Sequence, residues 1–265
     1  VTLIDSHCHL DYFSAAEQPD ILARARNAGV GTVITIGTRL AQAAAVTALC
    51  DAWPDVFGTV GVHPHNAGEA PLAEVDALVA LARHPKVVGI GESGLDYFYN
   101  KSPQDTQIES FRRHIRAART AQLPLAIHAR QADDDIARIL QEETDRGGRF
   151  AFLLHCFSSG PALAEKAVAM GGYISLSGIL TFPKSEELRA IAKALPADRL
   201  LVETDAPYLA PAPFRGKRCE PAMVAHTAEM LARVRGLSVP EIHALTTANC
   251  SRLFEKLKLP EARAA

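Results

Sequence analysis

Six short stretches of the chain end in side chains that bind divalent cations: His7-Cys8-His9, His63-Pro64-His65, Glu92, His128, His155 and Asp205. Each lies at the end of a short apolar run. In an extended chain side chains alternate, so His7 and His9 project to one side and Cys8 to the other. An ionisable group left charged and unpaired in apolar surroundings costs roughly several kcal/mol. Repeated at the ends of successive strands, such groups need a common partner, and one or two divalent cations provide it.

Taken singly, each residue has a plainer reading. His128 fits a hydrogen-bonded structural histidine, Glu92 a loop cap and Asp205 a helix N-cap, and an HxH pair arises by chance in many chains. Six of them at one rim are hard to reconcile with separate structural roles, so His7, His9, Glu92, His128, His155 and Asp205 stand as the candidate metal ligands. Imidazole mixed with carboxylate suits Zn, Mn, Fe or Co, and tolerates Mg where carboxylates and water dominate. Cys8 and Cys156 adjoin ligands but fall on the alternate face, and read as packing residues.

The elements that must position these groups follow from hydropathy. Apolar runs at residues 3–4, 30–36, 56–62, 87–90, 123–127, 150–154, 173–176 and 200–202 predict eight strands. Between them, residues 15–28, 41–52, 72–83, 104–121, 132–146, 162–170, 186–195 and 222–235 carry helical periodicity. Strands apolar on both faces and alternating with helices imply a parallel sheet, and eight such units favour an α/β fold closed into a single (β/α)8 TIM-type barrel. An open doubly wound sheet is the alternative, but no GxGxxG follows the first strand. Residues 241–259 read as terminal helices, with Thr246-Thr247-Ala248-Asn249 a break and cap between them.

At 265 residues and 48% hydrophobic content, residues 1–265 are expected to form one domain. A formal net charge of -2 excludes an overall basic field, so a nucleic-acid partner must be drawn by a local patch or by metal. The first residues lack a basic leader segment and no apolar run reaches the roughly 20 residues of a bilayer span, which argues against a membrane. Five scattered cysteines without a CxxC pair fit a reducing compartment, so a cytoplasmic location is expected. An obligate protein partner is not expected.

Together these residues closely resemble the TatD family of metal-dependent deoxyribonucleases. The match spans nearly the whole chain: Ile4-Asp5-Ser6-His7-Cys8-His9-Leu10-Asp11, Gly61-Val62-His63-Pro64-His65, Gly91-Glu92-Ser93-Gly94-Leu95-Asp96-Tyr97, Ile127-His128-Ala129-Arg130, His155-Cys156-Phe157-Ser158 and Glu203-Thr204-Asp205-Ala206-Pro207-Tyr208-Leu209. The resemblance implies a barrel of the metallo-dependent hydrolase type with one or two metals. It also implies hydrolysis of nucleic-acid phosphodiesters, often as a 3′ to 5′ exonuclease on single-stranded DNA. Its ligands carry over onto the same six residues. The chain departs at Ser159, where the family often has glycine, and at Cys219, where it often has asparagine.

Two cations about 3.5–4 Å apart with Glu92 between them would activate a water and neutralise the departing oxygen. Asp205 is expected to accept the water's proton. His63 is expected to donate to a non-bridging oxygen, though a structural role in its His-Pro-His turn fits as well. This makes Asp205, Glu92 and His63 the catalytic set. His63 and His65 are expected to contact substrate, and Arg215, Lys217 and Arg218 to grip flanking phosphates unless their loop is simply solvated. Tyr97, with Phe98 and Tyr99, is placed to stack on a base or else to pack. The competing activity is an amidohydrolase or esterase acting on a small substrate or on aminoacyl-tRNA. Binuclear barrels of that kind usually bridge with a carboxylated lysine on strand four, where this chain has Glu92.

Overall fold

The computed structural model describes residues 2–69 and 71–258. The apolar runs become β1 (Leu3–Cys8), β2 (Val30–Thr35), β3 (Val56–Val60), β4 (Val87–Asp96), β5 (Leu125–Arg130), β6 (Phe152–Leu154), β7 (Tyr173–Leu176) and β8 (Leu200–Val202). The periodic segments become α1 (Gln18–Asn27), α2 (Ala43–Ala52), α3 (Val75–Leu81), α4 (Gln104–Ala121), α5 (Asp133–Gly147), α6 (Pro161–Ala169), α7 (Glu186–Ala194), α8 (Val224–Arg235) and α9 (Val239–Leu253). In α4 the buried residues Gln107, Phe111, His114, Ile115 and Ala118 recur at the helical period, so one face packs inward.

Every strand pairs in parallel with its sequence neighbour, in the order β1 to β8. Closure is made beyond β8, where Asp205 N donates to His7 O at 2.9 Å and His9 N to Ala206 O at 2.7 Å. Ser6 Oγ adds a bond to Val202 O at 2.9 Å. The result is the eight-stranded α/β barrel that the alternation of runs predicts. One buried cluster takes Ile4, Ile34, Phe57, Val88, Ala126, Leu153, Tyr173 and Leu201, one from each strand, together with Leu253 and Phe254 at the end of α9. Among the described residues, no helix is long and apolar enough to cross a membrane.

The tail corrects one expectation. Residues 239–253 form a single helix, not two broken near Thr246. Polar side chains that suggest a cap find partners without interrupting the backbone: Thr246 Oγ1 donates to Ile242 O, and Thr247 Oγ1 to Thr2 O, each at 2.9 Å. Asn249 Nδ2 donates to Ala197 O and Leu200 O, both at 2.9 Å. These bonds seat α9 across the N-terminal ends of β1 and β8, opposite the rim that carries the ligands.

Two bulges aim that rim. Between Asp5 and Cys8 β1 advances three residues while β2 advances two, and His7 lies in the excess. Between Ile90 and Ser93 β4 does the same against β5, around Glu92. An extra residue bends a strand and redirects its side chain. Gly91 makes the second bulge possible, since it takes φ +113° and a Cβ there would sit 2.7 Å from Ala126 O. β4 then continues to Asp96, so Glu92 lies within the strand and not at its expected end.

Candidate metal centre

The six candidate ligands converge on the C-terminal rim of the barrel, with Glu92 in the middle. Its Oε1 lies 2.7 Å from His155 Nε2 and 2.9 Å from His128 Nδ1. Its Oε2 lies 3.4 Å from His7 Nε2 and 4.0 Å from His9 Nε2. Asp205 Oδ1 completes the second group, 3.4 Å from His9 Nε2 and 3.7 Å from His7 Nε2. The two oxygens of one buried carboxylate thus face two separate donor groups, the arrangement of a bridging ligand.

The donors fit divalent metal on their own chemistry. Both ring nitrogens of His7 and Nδ1 of His9 are buried without a hydrogen-bond partner. Left so, each costs about 1–3 kcal/mol, and a cation held with Glu92 and Asp205 would remove that cost at His7 Nε2. The edge of a tetrahedron with bonds of about 2.1 Å is about 3.4 Å, close to the spacings among His7, His9, Glu92 and Asp205. Glu92, His128 and His155 sit closer together, at hydrogen-bond distance, and would part slightly to admit a second ion.

Outer partners orient the rings. His155 Nδ1 donates to Glu203 Oε1 at 3.2 Å, which leaves Nε2 aimed at Glu92. His128 Nε2 donates to Asp96 Oδ2 at 3.1 Å, which leaves Nδ1 aimed there too. Such carboxylate–histidine pairs fix the tautomer and raise ligand basicity. Burial opposes charge on His155, yet Glu92 and Glu203 hold it well above its ordinary value. Burial likewise opposes charge on Glu92, but His155, His63 and His128 hold it well below the carboxylate range. Burial depresses His7, so this ring is neutral and ready to ligate.

His63 has two possible roles, which its hydrogen bonds separate. Its Nε2 lies 3.4 Å from Glu92 Oε1, within reach of an ion shared with His128. However, its Nδ1 accepts from His65 N at 3.0 Å, and burial holds the ring well below its ordinary value. A neutral ring that accepts at Nδ1 carries its proton on Nε2 and is a donor there. His65 Nε2 pairs with Asp96 Oδ2 at 2.8 Å and is half-buried beside the centre.

The remaining expected contacts spread further apart. Tyr97 donates to Asp135 Oδ2 at 2.6 Å and is partly packed, whereas Phe98 and Tyr99 are exposed. Arg218 donates to Glu17 Oε1 at 2.7 Å and Tyr12 O at 2.8 Å, and covers Phe13. Arg215 lies over Phe182 and Lys217 near Phe214. None of these three cations lines the cavities at the centre. Cys8 is buried, and half-buried Cys156 places Sγ 3.2 Å from Ser177 Oγ.

Sequence reasoning missed Glu203, Asp96, Asp5, Tyr12 and Tyr208. Asp5 accepts from Thr204 N at 2.9 Å and Thr204 Oγ1 at 2.6 Å, tying β1 to the segment that carries Asp205. Tyr12 stacks on His9 with centroids 4.9 Å apart. Acidic residues beside ligand motifs were the available clue to Asp5, Asp96 and Glu203; nothing in local spacing marks the two tyrosines.

A parallel eight-stranded barrel that gathers imidazoles and carboxylates around one bifacial glutamate is the architecture of a metal-dependent hydrolase. Comparison with known proteins narrows the class. The chain belongs to the TatD family, since the family model for TatD related DNase matches residues 4–255. It is 43% identical over 258 residues to YcfH of Escherichia coli (strain K12), described as an uncharacterized metal-dependent hydrolase, with 95% of each chain covered. It is 35% identical over 246 residues to the 3′-5′ ssDNA/RNA exonuclease TatD of Salmonella typhimurium, covering 91% of this chain and 94% of that one. The crystal structure of YjjV, a TatD homolog from Escherichia coli K12, superposes with TM-score 0.88 at 30% identity, over 96% of this chain and 98% of that one.

Proposed function

We propose that the chain hydrolyses phosphodiester bonds in single-stranded nucleic acid, removing nucleotides from the 3′ end in a reducing, cytoplasmic compartment. The observation that carries this reading is the setting of the centre. Of the four exposed large apolar side chains among the described residues, Phe98, Tyr99 and Tyr208 surround it. Arg39, Lys101 and Arg130 stand among them. Rings that stack on bases beside cations that meet phosphates are what an unpaired strand requires. The exonuclease description of the Salmonella relative and five free cysteines support the same reading.

Bound divalent metal supplies Lewis-acid charge and lowers the pKa of water at the site. His7, His9 and Asp205 would hold one ion, His128 and His155 the other, and Glu92 both. Asp205 is the ligand carboxylate more open to the cavity, and although burial opposes its charge, His9, His155 and His7 hold it below its ordinary value. It is therefore ionised at neutral pH and can accept the proton of an attacking water. The Nε2 proton of His63 is placed to bond a non-bridging phosphate oxygen. The test is product analysis on end-labelled single- and double-stranded DNA and RNA with Mg, Mn and Zn in turn, beside an ester and amide panel. Stepwise shortening from the 3′ end is expected; turnover of esters or amides with intact oligonucleotides would replace this reading with the amidohydrolase one.

A further inference from the structure

The centre opens into two cavities that differ in the charged groups standing away from the ligands. The smaller, about 550 Å³, is lined by Arg39 and Lys101 with the rings of Tyr12, Tyr99 and Tyr208. The larger, about 1010 Å³, is walled by Asp133, Asp134 and Asp135 in the first turn of α5. His128, His155 and Asp205 line both, so both abut the reacting centre, and Arg130 stands between them.

A helix N-terminus facing such a cavity ordinarily favours phosphate, because its free N–H groups and dipole attract negative charge. Here three successive carboxylates occupy that position and reverse its sign. Two have structural duties. Asp133 accepts from Ser159 Oγ at 2.7 Å and Gly160 N at 3.2 Å, and Asp135 accepts from Tyr97 and from Arg138 Nη2 at 2.6 Å. Asp134, exposed between them, serves neither bond. A strand crossing the centre would meet cations and rings on one side and carboxylates on the other.

We propose that the wall of Asp133, Asp134 and Asp135 selects the strand end. The smaller cavity takes the chain of phosphates, and the larger admits one terminal nucleoside with a free hydroxyl and rejects an end bearing a further phosphate. Its volume leaves ample room for a nucleoside, being at the upper end of the roughly 300–1,000 Å³ of small-molecule sites. Carboxylates also accept hydrogen bonds from the amino groups of bases, so the wall repels phosphate without repelling a base. This inference rests on the nuclease reading.

The test compares single-stranded oligonucleotides that end in a 3′-hydroxyl or a 3′-phosphate, with metal in excess. Two charges about 6 Å apart at an effective dielectric of about 40 repel enough to change an equilibrium roughly tenfold, so the hydroxyl end should be consumed at least about tenfold faster. Asp134→Asn should narrow that ratio, and Asp134→Lys should narrow it further. A phosphate on the 5′ end should leave the rate unaltered. Equal consumption of both ends, or a ratio unmoved by Asp134→Lys in a protein with parental circular dichroism, overturns this inference alone. Cleavage of neither oligonucleotide overturns the nuclease reading and this inference with it.

Discussion

Glu203 gives the sharpest access to how the centre holds metal. It is fully buried, its Oε1 accepts from His155 Nδ1 and from Cys156 N at 2.8 Å, and its Oε2 has no partner. Glu203→Gln preserves the accepting oxygen and both hydrogen bonds while removing the charge that makes His155 basic. Loss of such a partner typically weakens metal affinity about 10–100-fold. At about 1.4 kcal/mol per tenfold, that is roughly 1.4–2.7 kcal/mol of binding free energy. In chelator the fold should lose stability as well, because His155 is then charged and Glu203→Gln removes one of the two carboxylates that hold that charge. The assay is metal titration against a chromogenic chelator, with half-maximal hydrolysis as a second readout and thermal melting in chelator as the control. The expected pattern is a rise of about 10–100-fold in the metal required, with hydrolysis at saturating metal close to parental and a lowered chelated midpoint. Parental metal affinity in Glu203→Gln would refute the coupling between Glu203, His155 and the ion.

Three further outcomes follow from the same geometry. Despite burial, His9, His128 and His155 are held above their ordinary 6.5 by neighbouring carboxylates, so without metal their stabilising charge is complete below that value and lost as pH rises through the folded one; metal competes for the same protons, and the gap between metal-saturated and chelated melting midpoints should widen from about pH 6 to 8, whereas a constant gap would contradict their role as ligands. Burial pushes Asp5 up to about 8, so its contribution is complete below the ordinary 3.8 and is gone once pH has risen through about 8; Asp5→Asn keeps partners for Thr204 and should flatten the fall in stability between about pH 4 and 8, and an unchanged pH profile of unfolding would reject this. Arg218→Ala should lower the melting midpoint by releasing Glu17 and Tyr12 without altering the salt dependence of oligonucleotide binding, while Arg215→Ala with Lys217→Ala should flatten that dependence by roughly 0.7 for each phosphate no longer neutralised; the opposite assignment would show Arg218 to be the residue that meets phosphate.

Much of this molecule is legible along the chain because the relevant physics is local. Short continuous apolar runs and period-3.6 stripes mark all eight strands and the helices between them, and strands buried on both faces belong to a parallel sheet covered by helices. The types of the ligands are equally local: one imidazole or carboxylate at the end of an apolar run has ordinary structural uses, but six of them repeated at successive runs call for metal. Their motifs identify the family. The polar stretch at Thr246 to Asn249 misleads for the complementary reason, since its partners, Thr2, Ala197 and Leu200, are distant in sequence.

Closure of the barrel decides the rest. It sets Asp5 against Thr204, 199 residues away, and Glu203 behind His155, 48 residues away, and no local pattern encodes such pairings. Two bulges turn His7 and Glu92 toward a common point, and a shared hydrogen bond to Asp96 aims His128. Tertiary structure likewise gathers Arg39, Lys101 and Tyr208 on one side of the centre and three aspartates on the other, although the net charge of -2 gives no hint of that polarity. The sequence by itself determined which elements form and which side chains can hold metal, because both depend on residue type and period. Only the folded barrel decided which charges orient those side chains and which face the substrate, because electrostatic interaction depends on distance in space and not on separation along the chain.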